Sequence, residues 1–169
     1  MSDSERSERL GDRERLGLEA RQVDRGRTLE AMHRLEEALA EAAPRREASW
    51  RVAVLEALEV LDAATTEEAD NAERPDSLLS DVARTQPRLR NRVRGTRLQY
   101  RHLCETLGSL RRELEGHQES GIDFADVRER LGWVLTALRH QRARESDLIY
   151  EAYYEAFRAD LFAEAQTRR

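Results

Sequence analysis

The run Phe124-Ala-Asp-Val127…Leu131…Val134…Leu138-Arg-His140-Gln141…Glu145-Ser-Asp147-Leu148-Ile149-Tyr150-Glu151-Ala152-Tyr153-Tyr154 is the longest amphipathic stretch of the chain. Its apolar residues at 124, 127, 131, 134 and 138 recur at spacings of three and four, which puts them on one face of an α-helix. The same step then lands on Gln141 and Glu145 before returning to Leu148 and Ala152. A polar side chain is costly to bury without a partner, so this face predicts a polar layer satisfied by neighbouring helices or by a ligand.

Three further helices flank that run. After Pro87, the residues Leu89, Val93, Thr96, Tyr100, Leu103, Leu107, Leu110 and Leu114 alternate spacings of four and three, the seam of bundle packing. A second helix is expected from about Ser49-Trp50 to Ala72, with Val54, Leu58 and Leu61 on its stripe and the step continuing onto Thr65 and Glu68. A first core helix is expected from Thr28, read as an N-cap, to Ala43 before Pro44, with Leu29, Met32, Leu35 and Leu39 as its face. A short helix, Leu78 to Thr85, sits between Pro75 and Pro87. Asp123 caps the last helix, and Gln118 to Ile122 form the turn before it. The fold class this predicts is all-α, an up-down four-helix bundle over residues 27–165. Residues 1–26 mix acids and arginines around isolated Leu10, Leu16 and Leu18, which predicts a disordered or loosely docked charged tail.

Composition agrees with helix-on-helix packing. Of 169 residues 37% are charged and 5% aromatic, so the core must be built from Leu, Val and Ala. The three prolines and eight glycines leave long uninterrupted segments. Every basic side chain is arginine. The net charge of −5 argues against a dedicated nucleic-acid binder. A single cysteine, Cys104, excludes an internal disulfide and a cysteine-rich zinc site, and suits a reducing cytoplasm. No stretch has the length and apolarity of a membrane span, so no membrane partner is expected.

Candidate chemistry starts with the histidines His33, His102, His117 and His140. Imidazoles on facing helices are a common way to hold iron or zinc. At about 100° per residue, His102 lies more than about 120° from the seam centre that Tyr100 shares, and His140 lies about 100° from Gln141. The inward layer instead comprises Met32, Glu68, Tyr100, Gln141 and Glu145. Two inward carboxylates could ligate a hard cation, share a proton, or be neutralised by an arginine such as Arg142 or Arg144. A metal reading would draw on Glu68, Glu145, His33, His102 and His140. Between Arg84 and Arg101 runs a basic series, of which Arg90, Arg94, Arg97 and Arg101 would line one helix strip. It lacks interleaved aromatics, so a solvated face is favoured over a nucleic-acid or acidic-partner site. No phosphate-binding glycine loop, Ser/His/Asp order or paired-cysteine motif occurs, which lowers the expectation of an enzyme.

Several segments together resemble the hemerythrin-like (HHE cation-binding) family. They are Leu29-Glu-Ala-Met32-His33-Arg-Leu35-Glu, Trp50 with Val54, Leu58 and Leu61, and Glu73-Arg-Pro75-Asp76-Ser-Leu78-Leu79. Pro87-Arg-Leu89…Val93…Tyr100-Arg-His-Leu103 and Asp147-Leu148-Ile149-Tyr150-Glu151-Ala152-Tyr153 complete the set. The resemblance covers about Thr28 to Tyr154 and implies a mainly bacterial bundle with an oxygen-bridged di-iron centre. The family's ligand-histidine positions carry over to Met32, Glu68 (or Ala69), Tyr100 and Gln141, none of them histidine. Its carboxylate positions carry over to Glu73 and Glu145. Shifting the register by one would recover His33 and His140 but turn both apolar stripes to solvent. The resemblance therefore implies a bundle that has lost its di-iron site and serves as an interaction or regulatory module with an unknown protein partner. The alternative is a non-haem iron protein that binds oxygen or senses redox state.

Overall fold

The computed structural model describes residues 3–41, 47–116 and 123–167, with side chains described for 15–41, 47–116 and 123–154. His117 and the turns around Pro44 and Gln118–Ile122 lie outside the described residues. Four long helices, α1 (Asp3–Ala40), α2 (Glu47–Glu73), α4 (Arg90–Gly116) and α5 (Phe124–Thr167), form a bundle. A short helix α3 (Leu78–Thr85) and a 3-10 turn (Pro87–Leu89) bridge α2 to α4, and no strand occurs among the described residues. Cross-helix pairs such as Asp24–Asn71, Asp62–Arg111 and Glu113–Arg130 show that successive long helices alternate in direction.

The heptad-like spacing of α4 and α5 does what the pattern requires. Val93, Tyr100, Leu103, Leu107, Leu110 and Leu114 of α4 are buried, as are Val127, Leu131, Val134, Leu138, Leu148 and Ala152 of α5. One apolar cluster fills the end of the bundle containing Met32, Leu35, Leu58, Leu107 and Leu131. A second, built from α2, α3, α4, α5 and the 3-10 turn, fills the opposite end around Leu79, Val93 and Leu148. Ser77 caps α3, its hydroxyl accepting from the Ser80 backbone N–H at 3.2 Å. Asp123 caps α5 through the Ala125 and Asp126 N–H groups.

At the N-terminus the described residues 3–27 are helical and continuous with the rest of α1, a single helix of 38 residues, rather than disordered. Thr28, expected as an N-cap, lies within that helix, 1% exposed. The buried face of α1 is Thr28, Ala31, Met32, Leu35 and Ala38, whereas Leu29 points outward at 45% exposure. The error has a physical origin. An apolar stripe reports only the contacts that apolar side chains make, and the first half of α1 docks through polar ones.

Helix α1 packs closely on α2, α2 on α4 and α4 on α5. The seam between α1 and α5 is wider, and arginines span it. Arg25 Nη2 donates to the Arg142 carbonyl at 2.8 Å, Arg142 Nη2 donates back to the Arg25 carbonyl at 2.5 Å, and Arg139 pairs with Glu36.

Candidate functional site: a buried ion cluster

Glu68 on α2, Tyr100 on α4 and Glu145 on α5 each fall where an apolar stripe is interrupted, and all three are at most 2% exposed. The fourth member is Arg21 of α1, a residue that no periodicity singles out. Its Nε and Nη2 lie 2.5 Å from Glu145 Oε1 and Oε2 respectively, the two-pronged geometry that matches a planar guanidinium to a carboxylate. Nη2 also donates to Tyr100 Oη at 2.6 Å and lies 3.3 Å from Glu68 Oε1. Nη1 reaches the Glu68 carbonyl at 3.4 Å. Tyr100 Oη sits 2.5 Å from Glu145 Oε2 and 3.0 Å from Glu68 Oε1, so its single proton serves one of the two carboxyl groups. Thr28 Oγ1 donates to Glu68 Oε2 at 2.6 Å. Four helices thus meet at one guanidinium.

The electrostatics follow from burial. Desolvation works against the Arg21 charge, but the hydrogen bonds and charge of Glu145, with Tyr100 and Glu68, outweigh it and hold the guanidinium protonated beyond its ordinary range. Burial, followed by the charges of Glu145 and Glu68, pushes the Tyr100 phenol well above its ordinary value, against the opposing pull of Arg21. The cluster therefore holds a permanent cation and a phenol that keeps its proton. It contains no activated nucleophile. Burial likewise raises the half-buried Cys104 thiol, which disfavours its thiolate form.

The inward layer read from the sequence divides into three. Glu68, Tyr100 and Glu145 join Arg21. Gln141, 2% exposed, stands apart and donates from Nε2 to the Thr96 carbonyl at 2.9 Å. Met32 belongs to the apolar cluster. The counter-ion is neither Arg142, which binds the α1 backbone, nor Arg144, which is exposed. No sequence signal marks Arg21, because it lies in a charged segment without an apolar stripe.

His33, His102 and His140 are all exposed, and His33 Nδ1 faces Glu36 at 3.4 Å. They do not converge on Glu68 and Glu145, and no group of three or more metal-ligating side chains occurs among the described residues. A di-iron centre of the kind the resemblance implies does not fit these residues: a guanidinium fills the space between the two carboxyl groups, and the imidazoles face solvent. Glu73, the other carboxylate position that the resemblance implies, is exposed and pairs at 3.6 Å with Arg97 and Arg101.

The basic strip is also largely spoken for. Arg97 donates from Nε to the Ala72 carbonyl at 3.0 Å and from Nη2 to Ser80 Oγ at 2.6 Å, locking α4 onto the α2–α3 joint. Arg90 donates to the Ala83 carbonyl and Arg94 to Asn91, while Arg88 and Arg92 share Glu151. An arginine engaged inside the fold has fewer donors left for phosphates.

Fold and site together define an all-helical four-helix bundle with a buried arginine–carboxylate–tyrosine centre, and no helix among its described residues is long and apolar enough to cross a membrane. Compared with protein-family models, curated proteins and solved structures, the chain matches none.

Proposed function

We propose that this chain is a hemerythrin-like bundle in which the Arg21 cluster substitutes for the di-iron centre, and that it acts as a non-catalytic interaction or regulatory module. The observation that carries this reading is the Arg21–Glu145 fork with Glu68 and Tyr100 closed around it. A guanidinium cannot change oxidation state, bind oxygen or be deprotonated at ordinary pH. It ties four helices together and leaves the surface free to carry the function. A cytoplasmic location in a bacterial cell goes with this reading.

The test is the metal content of protein purified from iron-supplemented cells. Iron well below one atom per chain, with no oxo-bridge absorption band, is expected. Near-stoichiometric iron would overturn the proposal in favour of an oxygen-binding or redox-sensing protein. The exposed histidines favour the first outcome. An adaptor role through the Arg84–Arg101 strip is the weaker reading, since its arginines are engaged within the fold.

A further inference from the structure

From Arg15 to Arg27, α1 has one buried residue, Arg21. Leu16 and Val23 are 65% and 55% exposed, and Leu18 sits at the exposed limit with 36%. Neither apolar cluster takes a residue from this segment; α1 enters the core only from Ala31 onward. What holds residues 15–27 in place is polar. Arg21 enters the buried cluster, Asp24 Oδ2 accepts from Asn71 Nδ2 at 3.0 Å, Arg25 binds Ser146 and the Arg142 carbonyl, and Arg27 pairs with Glu67 at 3.0 Å.

A solvent-open pocket of about 260 Å³ lies between Gly17, Ala20 and Asp24 of α1 and Asn71, Leu78 and Leu79 of α2 and α3, and Arg21 forms part of its wall. The segment also carries Gly17 and Gly26, each of which weakens a helix interior. Neither is demanded by a close approach: a Cβ on Gly26 would meet nothing within 4 Å, and one on Gly17 only an ordinary contact with Leu78 at 3.7 Å.

We propose that residues 15–27 are a releasable strap, and that its release uncovers the Glu68–Tyr100–Glu145 pocket as the docking site for an arginine-bearing helix of a partner protein. The resident strap is the template for that partner. The pocket presents two carboxyl groups and one guanidinium fills it, so a competing helix needs an arginine in the position of Arg21. A lysine has no second prong for Glu145. The second cluster takes no residue from α1, so its members keep one another's contacts when the strap leaves, while Leu78 and Leu79 lose the cover of Gly17 and Ala20. This inference rests on the interaction-module reading and names the chemistry of its partner.

The probe is a fluorescein-labelled synthetic peptide with the sequence of residues 15–27, titrated into the full chain. In the wild-type chain the tethered strap competes at high effective concentration, so binding is weak. The variant Gly26→Pro breaks α1 at the C-terminal end of the strap and leaves Glu68, Tyr100 and Glu145 intact. It is expected to bind the probe at least tenfold more tightly than wild type. A probe carrying Arg21→Gln is expected to lose at least tenfold. Failure of the Gly26→Pro chain to bind, or equal binding of both probes, overturns the proposal. So does dimerisation of the variant with exclusion of the probe, which would make a second copy the occupant. Native-state hydrogen exchange on the wild-type chain supplies a folding-independent readout. Amides of 18–26 should exchange at least tenfold faster than those of 32–39, and equal protection overturns the strap. Iron loading bears on the interaction-module reading alone, so the two failures are distinguishable.

Discussion

Arg21 and Glu145, 124 residues apart in the chain, meet through two parallel hydrogen bonds of 2.5 Å in the interior of the bundle. The pair joins the first and last helices across the one seam whose backbones stay apart, and Tyr100 and Glu68 close it from α4 and α2. Removing water from such a pair costs about as much as the attraction returns, so its presence argues for specificity more than for stability.

That asymmetry is measurable. Arg21→Met leaves two buried carboxyl groups without their cation and is expected to cost about 3–5 kcal/mol in urea or thermal unfolding. Replacing Arg21, Glu68 and Glu145 together with Met, Leu and Leu removes every charge and is expected to be neutral or stabilising by about 1–4 kcal/mol. A single substitution costing under about 1 kcal/mol would contradict the cluster as drawn.

Tyr100 makes stability depend on pH at the alkaline end. Its folded-state phenol lies above the ordinary value of 10.0, so both states keep the proton below that pH and this group contributes a flat profile. Above it the unfolded chain releases a proton that the folded one retains, and stability falls as pH rises. Wild type should lose up to about 1.4 kcal/mol per pH unit more steeply than Tyr100→Phe over this range. Parallel profiles for the two proteins would remove Tyr100 as the cause.

The same isosteric change should act in opposite directions at two buried threonines. Thr28→Val deletes the 2.6 Å hydrogen bond to Glu68 Oε2 and is expected to cost about 1–3 kcal/mol. Thr65 Oγ1 is buried with no hydrogen-bond partner among the described residues, so Thr65→Val is expected to be neutral or to stabilise by about 1 kcal/mol. Urea midpoints of the two variants decide the matter.

On the basic strip, Arg97→Ala should destabilise by about 1–3 kcal/mol because it deletes two hydrogen bonds that tie α4 to the α2–α3 joint, leaving the Ala72 carbonyl and Ser80 with the Ser77 hydroxyl alone as donor. Arg94→Ala, which loses only a bond to the neighbouring Asn91, should change stability by less than about 0.5 kcal/mol. Equal effects would show that the strip is a uniform solvated face.

What the sequence by itself determined is the all-helical class, the inward faces of α2, α4 and α5, and the turn of each at which a polar residue enters the core. Leu138, Gln141, Glu145 and Leu148 share one face because 3.6 residues per turn leaves no other arrangement, and burial follows from the apolar company they keep. The exposure of His102 and His140 could be read from the same phasing. Only the tertiary structure decided which cation meets Glu68 and Glu145. Arg21 is the one buried residue of a segment whose other residues are exposed or half-buried, and it reaches the cluster on a long side chain from a helix with no apolar stripe there. Periodicity records burial that neighbouring residues share. A lone arginine drawn inward by carboxyl groups on two other helices and a phenol on a third leaves no periodic trace, and so the segment that reads as a tail supplies the centre of the site.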